Sequence, residues 1–258
     1  MTSLQVTPLL PNQMMLALDP TPSAAADSVP SLRKPKTRYP NSHDFRDVFN
    51  GRLLEGLTVV GPFEIPRIEP CTLVPDKLVV FSEAMSAKRP DPDAWVHFYE
   101  DDYRCERFWK APERYLTRLS KFAGIVSPDF SLYRNMPEAV KINHTFRNQL
   151  LGAWIQAQGM NVITNVRLSG TASVPYALAG VPQHSTLSIG LHGCTKSVEN
   201  RRQVFEDIQI ICDQCEPLTL LVYGSDRYHV LDYPLCHEIA VRTFKPDFRY
   251  RSQERRAA

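Results

Sequence analysis

Two apolar runs in this chain stop abruptly on acidic residues, and that pattern restricts the fold more than any other feature. Val96-His97-Phe98-Tyr99 gives way to Glu100-Asp101-Asp102, and Gly124-Ile125-Val126 gives way to Ser127-Pro128-Asp129. A β-type run that ends in a carboxylate and leads into a helical pattern is how α/β proteins bring polar groups to the carboxyl edge of a sheet. Ligands usually sit at that edge, so residues 99–147 point to a site without naming a substrate.

Similar runs recur along the chain. Leu78-Val79-Val80-Phe81 precedes the two above, and Val162-Ile163, Leu187-Ser188-Ile189 and Leu218-Thr219-Leu220-Leu221-Val222-Tyr223 follow them. Short apolar or β-branched runs bounded by polar turns read as buried parallel strands. Between them, Pro137 to Gln158 places Ala139, Ile142, Phe146, Leu150 and Trp154 three or four residues apart, with Gly159 as a stop, which predicts an amphipathic helix. Ser197 to Cys212 repeats that spacing with Val198, Val204, Ile208 and Ile211, and Leu116, Leu119 and Phe122 mark a shorter helix after Pro112. Strand and helix in alternation imply a parallel sheet with right-handed crossovers. About six strands fit an incomplete or irregular β/α barrel, and an open doubly wound parallel sheet fits the same pattern. No Gly-x-Gly-x-x-Gly and no Gly-x-x-x-x-Gly-Lys-Ser/Thr is present, so the familiar nucleotide-binding loops are not the route to function.

At 258 residues and 43% hydrophobic content, the chain can bury one large core. Residues 1–40 are rich in Pro, Ser and Ala without periodicity and read as a disordered tail. Residues 41–246 read as a single α/β domain, and residues 247–258 as a basic C-terminal tail. A net charge of +2 supplies no global basic field, so nucleic-acid binding rests on two local clusters, Arg33 to Arg38 and Arg249 to Arg256. No window approaches the ~18 consecutive apolar residues of a membrane span. Pro11 interrupts the apolar stretch near the start and the first basic residue is Arg33, so no charged leader region is expected there. Six cysteines spread through such a chain suit a reducing cytoplasm and free thiols.

Residues just past each strand form the candidate site: Glu83, Asp101, Asp102, Asp129, Asn165, Arg167, His192 and Asp226. Carboxylates beside a histidine, an asparagine and an arginine suit either general acid/base chemistry or a hard divalent cation. Asp101, Asp102, Asp129 and His192 are the catalytic candidates, and Arg104, Asn165 and Arg167 the substrate-binding ones. The alternative is that these are ordinary helix caps and loop acids, with Asp102 ahead of a helix and Asp129 in a proline-containing turn. A turn aspartate of that kind tolerates asparagine at a cost of about 1 kcal/mol or less. Cys212-x-x-Cys215 lacks a second such pair to complete a zinc site, so packed thiols are expected and no metal is assigned. Trp109, Tyr115, Phe130, Tyr133 and Phe146 stand among arginines as base-stacking residues would, but aromatics at helical spacing are more often core.

The segments Phe98 to Trp109 (FYEDDYRCERFW) and Ile125 to Tyr133 (IVSPDFSLY) resemble the family known as domain of unknown function 4417. Arg147-Asn148, Gln158-Gly159 with Val162-Ile163, and Val222-Tyr223-Gly224 continue the likeness, which spans roughly residues 45–245. The resemblance implies a bacterial, phage or mobile-element origin and a domain extent, but no reaction and no cofactor. Two function classes stay open. One is a cytoplasmic enzyme acting on a small or phosphate-containing substrate in a carboxylate-rich pocket; the other is a non-enzymatic nucleic-acid-binding accessory protein that works through its basic tails.

Overall fold

The computed structural model describes residues 47, 49–226 and 228–246. A short antiparallel pair, β1 (Val59–Val60) and β2 (Ile65–Pro66), precedes the main sheet. The main sheet has seven parallel strands: β3 (Lys77–Val80), β4 (Ala94–His97), β5 (Gly124–Val126), β6 (Val162–Asn165), β7 (Thr186–Gly190), β8 (Thr219–Tyr223) and β9 (Ala240–Phe244). Their spatial order is their chain order. A doubly wound sheet reverses direction at a switch point, and this one never does, so the sheet is singly wound and curls into a half-barrel flanked by helices.

The crossovers carry α1 (Phe81–Ser86), α2 (Asp102–Lys110), α3 (Pro112–Leu119), α4 (Glu138–Ala157), α5 (Val174–Ala177), α6 (Val198–Cys215) and α7 (Asp232–Cys236). Helix α4 follows the sequence pattern within a residue at each end. Helix α6 begins where Ser197 Oγ accepts the Asn200 N–H at 3.0 Å, and it runs one turn past its expected end to Glu216, which takes a left-handed φ of 44°. Phe122 lies beyond α3 and fills the core from the loop. No described helix is long and apolar enough to cross a membrane. Both basic clusters, and the tail expected over residues 1–40, lie outside the described residues.

Helices cover the convex face in two apolar clusters. One gathers Phe81, Val96, Phe98, Phe108, Ile125 and Leu150, and the other Leu187, Ile189, Ile208, Ile211, Leu220 and Val222; Phe146 on α4 packs against both. Alternate strand residues face inward. Trp95, Ile163 and Leu221 form a lower inner layer, and Val126, Tyr99 and Tyr223 an upper one. Leu78 from β3 and Phe244 from β9 pack against both layers. Strand β9 escapes the sequence pattern because it is an edge strand whose residues are exposed or half-buried, with Arg242 in the middle. The expected strand from Val96 to Tyr99 instead spans Ala94–His97, because the chain turns where Glu100 N–H donates to Phe98 O at 2.7 Å.

Filling this concave space needs a bare backbone at one point. A Cβ on Gly124 would stand 2.6 Å from Trp95 Cζ3 and 2.7 Å from the Asn161 carbonyl. The indole occupies the room that a side chain on β5 would take. Gly124→Ala is expected to cost about 1–3 kcal/mol, the usual penalty for overpacking. A urea-unfolding midpoint equal to wild type would show that Trp95 has room to move.

Candidate functional site

The carboxyl ends of β4 to β7 are joined by one hydrogen-bond network. Ser188 in the middle of β7 lies 2.6 Å from Tyr99 Oη, and Tyr99 O–H donates to Asn165 Oδ1 at 3.0 Å. A phenol has one proton, so the Ser188 hydroxyl is the donor to Tyr99. Asn165 Nδ2 donates to Asp129 Oδ1 at 2.8 Å and to the Pro128 carbonyl at 3.2 Å. Every donor in this relay points toward the Asp129 carboxylate.

Arg167 meets that carboxylate with a two-pronged ion pair. Its Nε–H donates to Asp129 Oδ1 at 3.0 Å and Nη2 to Oδ2. Its third nitrogen, Nη1, reaches the Gly190 carbonyl at 3.2 Å and Cys194 Sγ at 3.4 Å. Burial acts to lower the arginine's pKa, but the charge of Asp129, with a smaller part from Cys194, outweighs it and the net direction is up. Burial and the Asp129 charge both raise the Tyr99 phenol, so it stays neutral. A Cβ on Gly190 would come within 2.7 Å of the Tyr99 ring and 3.1 Å of Arg167 Nη2, so only glycine admits both side chains.

The loop after β5 is held from behind by α4. Asn148 Oδ1 accepts from Phe130 N–H at 2.7 Å and its Nδ2 donates to Phe130 O at 3.1 Å, an amide clamp on the residue next to Asp129. Arg147 stacks on Phe130 with its guanidinium carbon 3.8 Å from the ring centroid, and pairs with Glu106. Asp102 does not cap its own helix; its Oδ1 accepts from Ser131 N–H at 3.1 Å and Ser131 Oγ at 2.9 Å, which joins α2 to the same loop.

These groups floor and wall a cleft of about 760 Å³ at the carboxyl edge. Of the sequence candidates, Asp101, Asp129, Arg167, His192 and Glu83 line it. Asn165 and Asp102 stand behind the wall as supports. Arg104, with Nε 3.9 Å from Glu100, also stands away from the lining. Asp226 accepts from Val230 N–H at 2.9 Å in the loop after β8, which makes it the turn acid of the alternative reading. The sequence missed Tyr99, Ser188, Gly190 and Cys194 as members of the network, and Glu100, whose side chain is 1% exposed and accepts from Ser82 N–H at 3.2 Å.

Another unforeseen member is Asp207 on α6, which lines the cleft. Burial raises its carboxyl to about 6, against the opposing pull of hydrogen bonds from Gln203 Nε2, at 2.7 Å, and Gly170 N–H. Among the described residues no group of three His, Cys, Asp or Glu side chains is arranged to hold a metal ion. Cys212 and Cys215 are buried free thiols, both pushed up to about 12 by burial. The arginine-flanked aromatics divide: Trp109 and Phe130 are buried, Tyr115 and Phe146 pack against the core, and Tyr133 is exposed.

The family described as Domain of unknown function (DUF4417) matches residues 57–245, from just before β1 through β9 and the whole network. The chain belongs to this family. It is 31% identical over 167 residues to the Gene 1 protein of Mycobacterium phage D29, and 31% identical over 170 residues to the Gene 1 protein of Mycobacterium phage L5. Each match takes in 64% of this chain; it covers 62% of the D29 protein, less than two thirds of its length, and 73% of the L5 protein. No solved structure matches the chain significantly.

Two expectations follow for this DUF4417 domain. Asp129 is a buried ion-pair partner rather than a simple turn acid, so Asp129→Asn or Arg167→Met should each cost about 3–5 kcal/mol by leaving its partner's charge buried alone. The double variant should cost clearly less than the sum, and additive thermal-melt results would sink the coupling. Asp207 holds its proton more tightly folded than its unfolded value of 3.8, so stability should fall as pH rises from about 4 to about 6 and carry a constant penalty above that. Asp207→Asn should remove this slope and raise the melting temperature at pH 7.

Proposed function

We propose that this DUF4417 domain is an enzyme acting on a small, phosphate-bearing or otherwise anionic substrate held in the carboxyl-edge cleft. The observation that carries the reading is a roomy cleft at the mouth of a half-barrel whose floor is a pre-organised network of buried polar groups. A buried pair whose carboxylate oxygens are both engaged gives precise loop positions, which catalysis needs more than stability does.

The roles divide by whether a group ties the mouth loops together or lines the cleft beside them. Both Asp129 oxygens are engaged, so Asp129, Arg167, Asn165 and Asp102 act as positioning residues for the mouth loops. Asp101, exposed on the cleft wall without a capping bond to α2, and His192 in the loop after β7 are the proton-handling candidates. Asp207 joins them, since a carboxyl near 6 in a cleft is suited to giving and taking a proton near neutrality. Arg134, Lys196 and Lys245 line the same cleft and supply positive charge for an anionic group. The competing role as a nucleic-acid accessory draws on residues 33–38 and 249–256 alone, outside the described residues.

A thermal-shift screen of phosphate-containing metabolites tests the reading. A true ligand at a hundred times its dissociation constant stabilises by about 2.7 kcal/mol, a rise of roughly 5–10 °C for a domain of this size. The shift should survive removal of both tails. Asp101→Asn and His192→Gln should fold like wild type and lose turnover of the compound found. A screen in which nothing shifts the melt would remove the enzymatic reading.

A further inference from the structure

The half-barrel does not close. Among the described residues strands β3 and β9 end the sheet without pairing to each other, and the part of the cleft along its inner surface is lined by Leu78, Val80, His97, Tyr99, Tyr223 and Phe244. Its inner wall is aromatic. Tyr99 and Tyr223 stack with centroids 5.1 Å apart at 15°, and the His97 ring lies 4.4 Å from Tyr223.

His97 brings an imidazole to this part of the cleft. It is 2% exposed and sits at the end of β4, opposite Val80 in the β3 register. Its Nδ1 accepts the Tyr99 N–H at 3.2 Å, so that nitrogen carries no proton. Burial pushes the imidazole down to about 3, so the ring is neutral and its one proton is on Nε2. Nε2 makes no hydrogen bond among the described residues, and it is not one of the buried polar atoms sealed away without a partner. The ring lines the cleft, so this N–H is presented to it.

A neutral, fixed donor in an aromatic and aliphatic slot selects a flat, uncharged ring that carries an acceptor. A charged group would lose its hydration there without compensation, and a saturated chain would leave the donor unsatisfied. We infer that this part of the cleft binds the base of a nucleotide, with His97 Nε2–H donating to a ring nitrogen or carbonyl of the base. The inference rests on the reading of the cleft as an anion-accepting substrate site, and it names the uncharged end of that substrate. Arg167, Lys196 and Lys245 line the same cleft, and about 760 Å³ accommodates a mononucleotide with its phosphate near those cations. A free nucleotide and a nucleotide within a single strand present the same base, and the test separates them.

Calorimetric titration of the full chain with the four ribonucleoside 5′-monophosphates, ribose 5-phosphate and a short mixed-sequence single-stranded DNA provides that test. At least one mononucleotide should bind, and ribose 5-phosphate should bind tenfold or more weakly. His97→Phe keeps a ring and removes the donor, and should lose tenfold or more in affinity; His97→Gln restores a donor and should recover most of it. Binding of the DNA alone, lost in His97→Phe, would support the base site while removing the small-molecule reading. Equal binding of ribose 5-phosphate and nucleotides, unaffected by His97→Phe, would overturn the base site and leave the anionic cleft standing. No binding by any probe would overturn both. If His97→Phe fails to fold, histidine-labelled NMR of the wild type decides: a bound base must shift the His97 Hε1 resonance, and an unmoved resonance at saturating nucleotide overturns the inference.

Discussion

The Asp129–Arg167 pair is the interaction on which the mouth of this half-barrel depends. Neither charge tolerates burial alone, and the cost of removing both from water is met only when geometry is good and the remaining donors and acceptors are used. Both conditions hold. The carboxylate receives Arg167 through two nitrogens and Asn165 through a third donor, and the guanidinium spends Nη1 on the loop after β7. One side chain therefore sets the relative positions of the loops after β5, β6 and β7. The relay from Ser188 through Tyr99 extends the same constraint to β4.

The open sheet has a matching logic on its concave face. A closed barrel fills its interior with layers of side chains from all strands. Here β4, β5, β6 and β8, with Tyr99 just past β4, supply two layers, and Leu78 and Phe244 reach in from the two sheet edges in place of a further strand. Arg242, in the middle of β9, donates to Asp76, just before β3, at 2.6 Å and links the two edges. The carboxyl ends of those edges are left apart, and the cleft opens there with His97 at its inner wall.

Polar groups at this edge differ in what they hold in place. Asp129, Asn165 and Asp102 spend their oxygens and amides on neighbouring loops, whereas Asp101, His192 and Asp207 line the cleft, Asp207 with hydrogen bonds from Gln203 and Gly170. The sequence argument placed Asp101, Asp102, Asp129 and His192 together because all four follow strand ends. The structure separates them by hydrogen-bond partners, which strand-end position does not encode. Asp207 lies mid-helix on α6, away from any strand end, and the Gly170 N–H in the loop after β6 hydrogen-bonds it.

The sequence by itself determined the alternation of strands and helices, the parallel sheet, the extents of α4 and most of α6, and the concentration of polar residues at strand carboxyl ends. Those features follow from local periodicity, because a buried face must recur at the repeat of its own element. Only the tertiary structure decided that the sheet winds in one direction, that β9 completes it, and that Asp129 meets Arg167 across 38 residues of chain. Gly190 shows the difference most directly. In the sequence it is a small residue ending an apolar run, and its necessity appears only when Tyr99 and Arg167 arrive from β4 and β6 to occupy the space where its side chain would be. Long-range partners are set by strand order and sheet curvature, and no local spacing of residues carries that information.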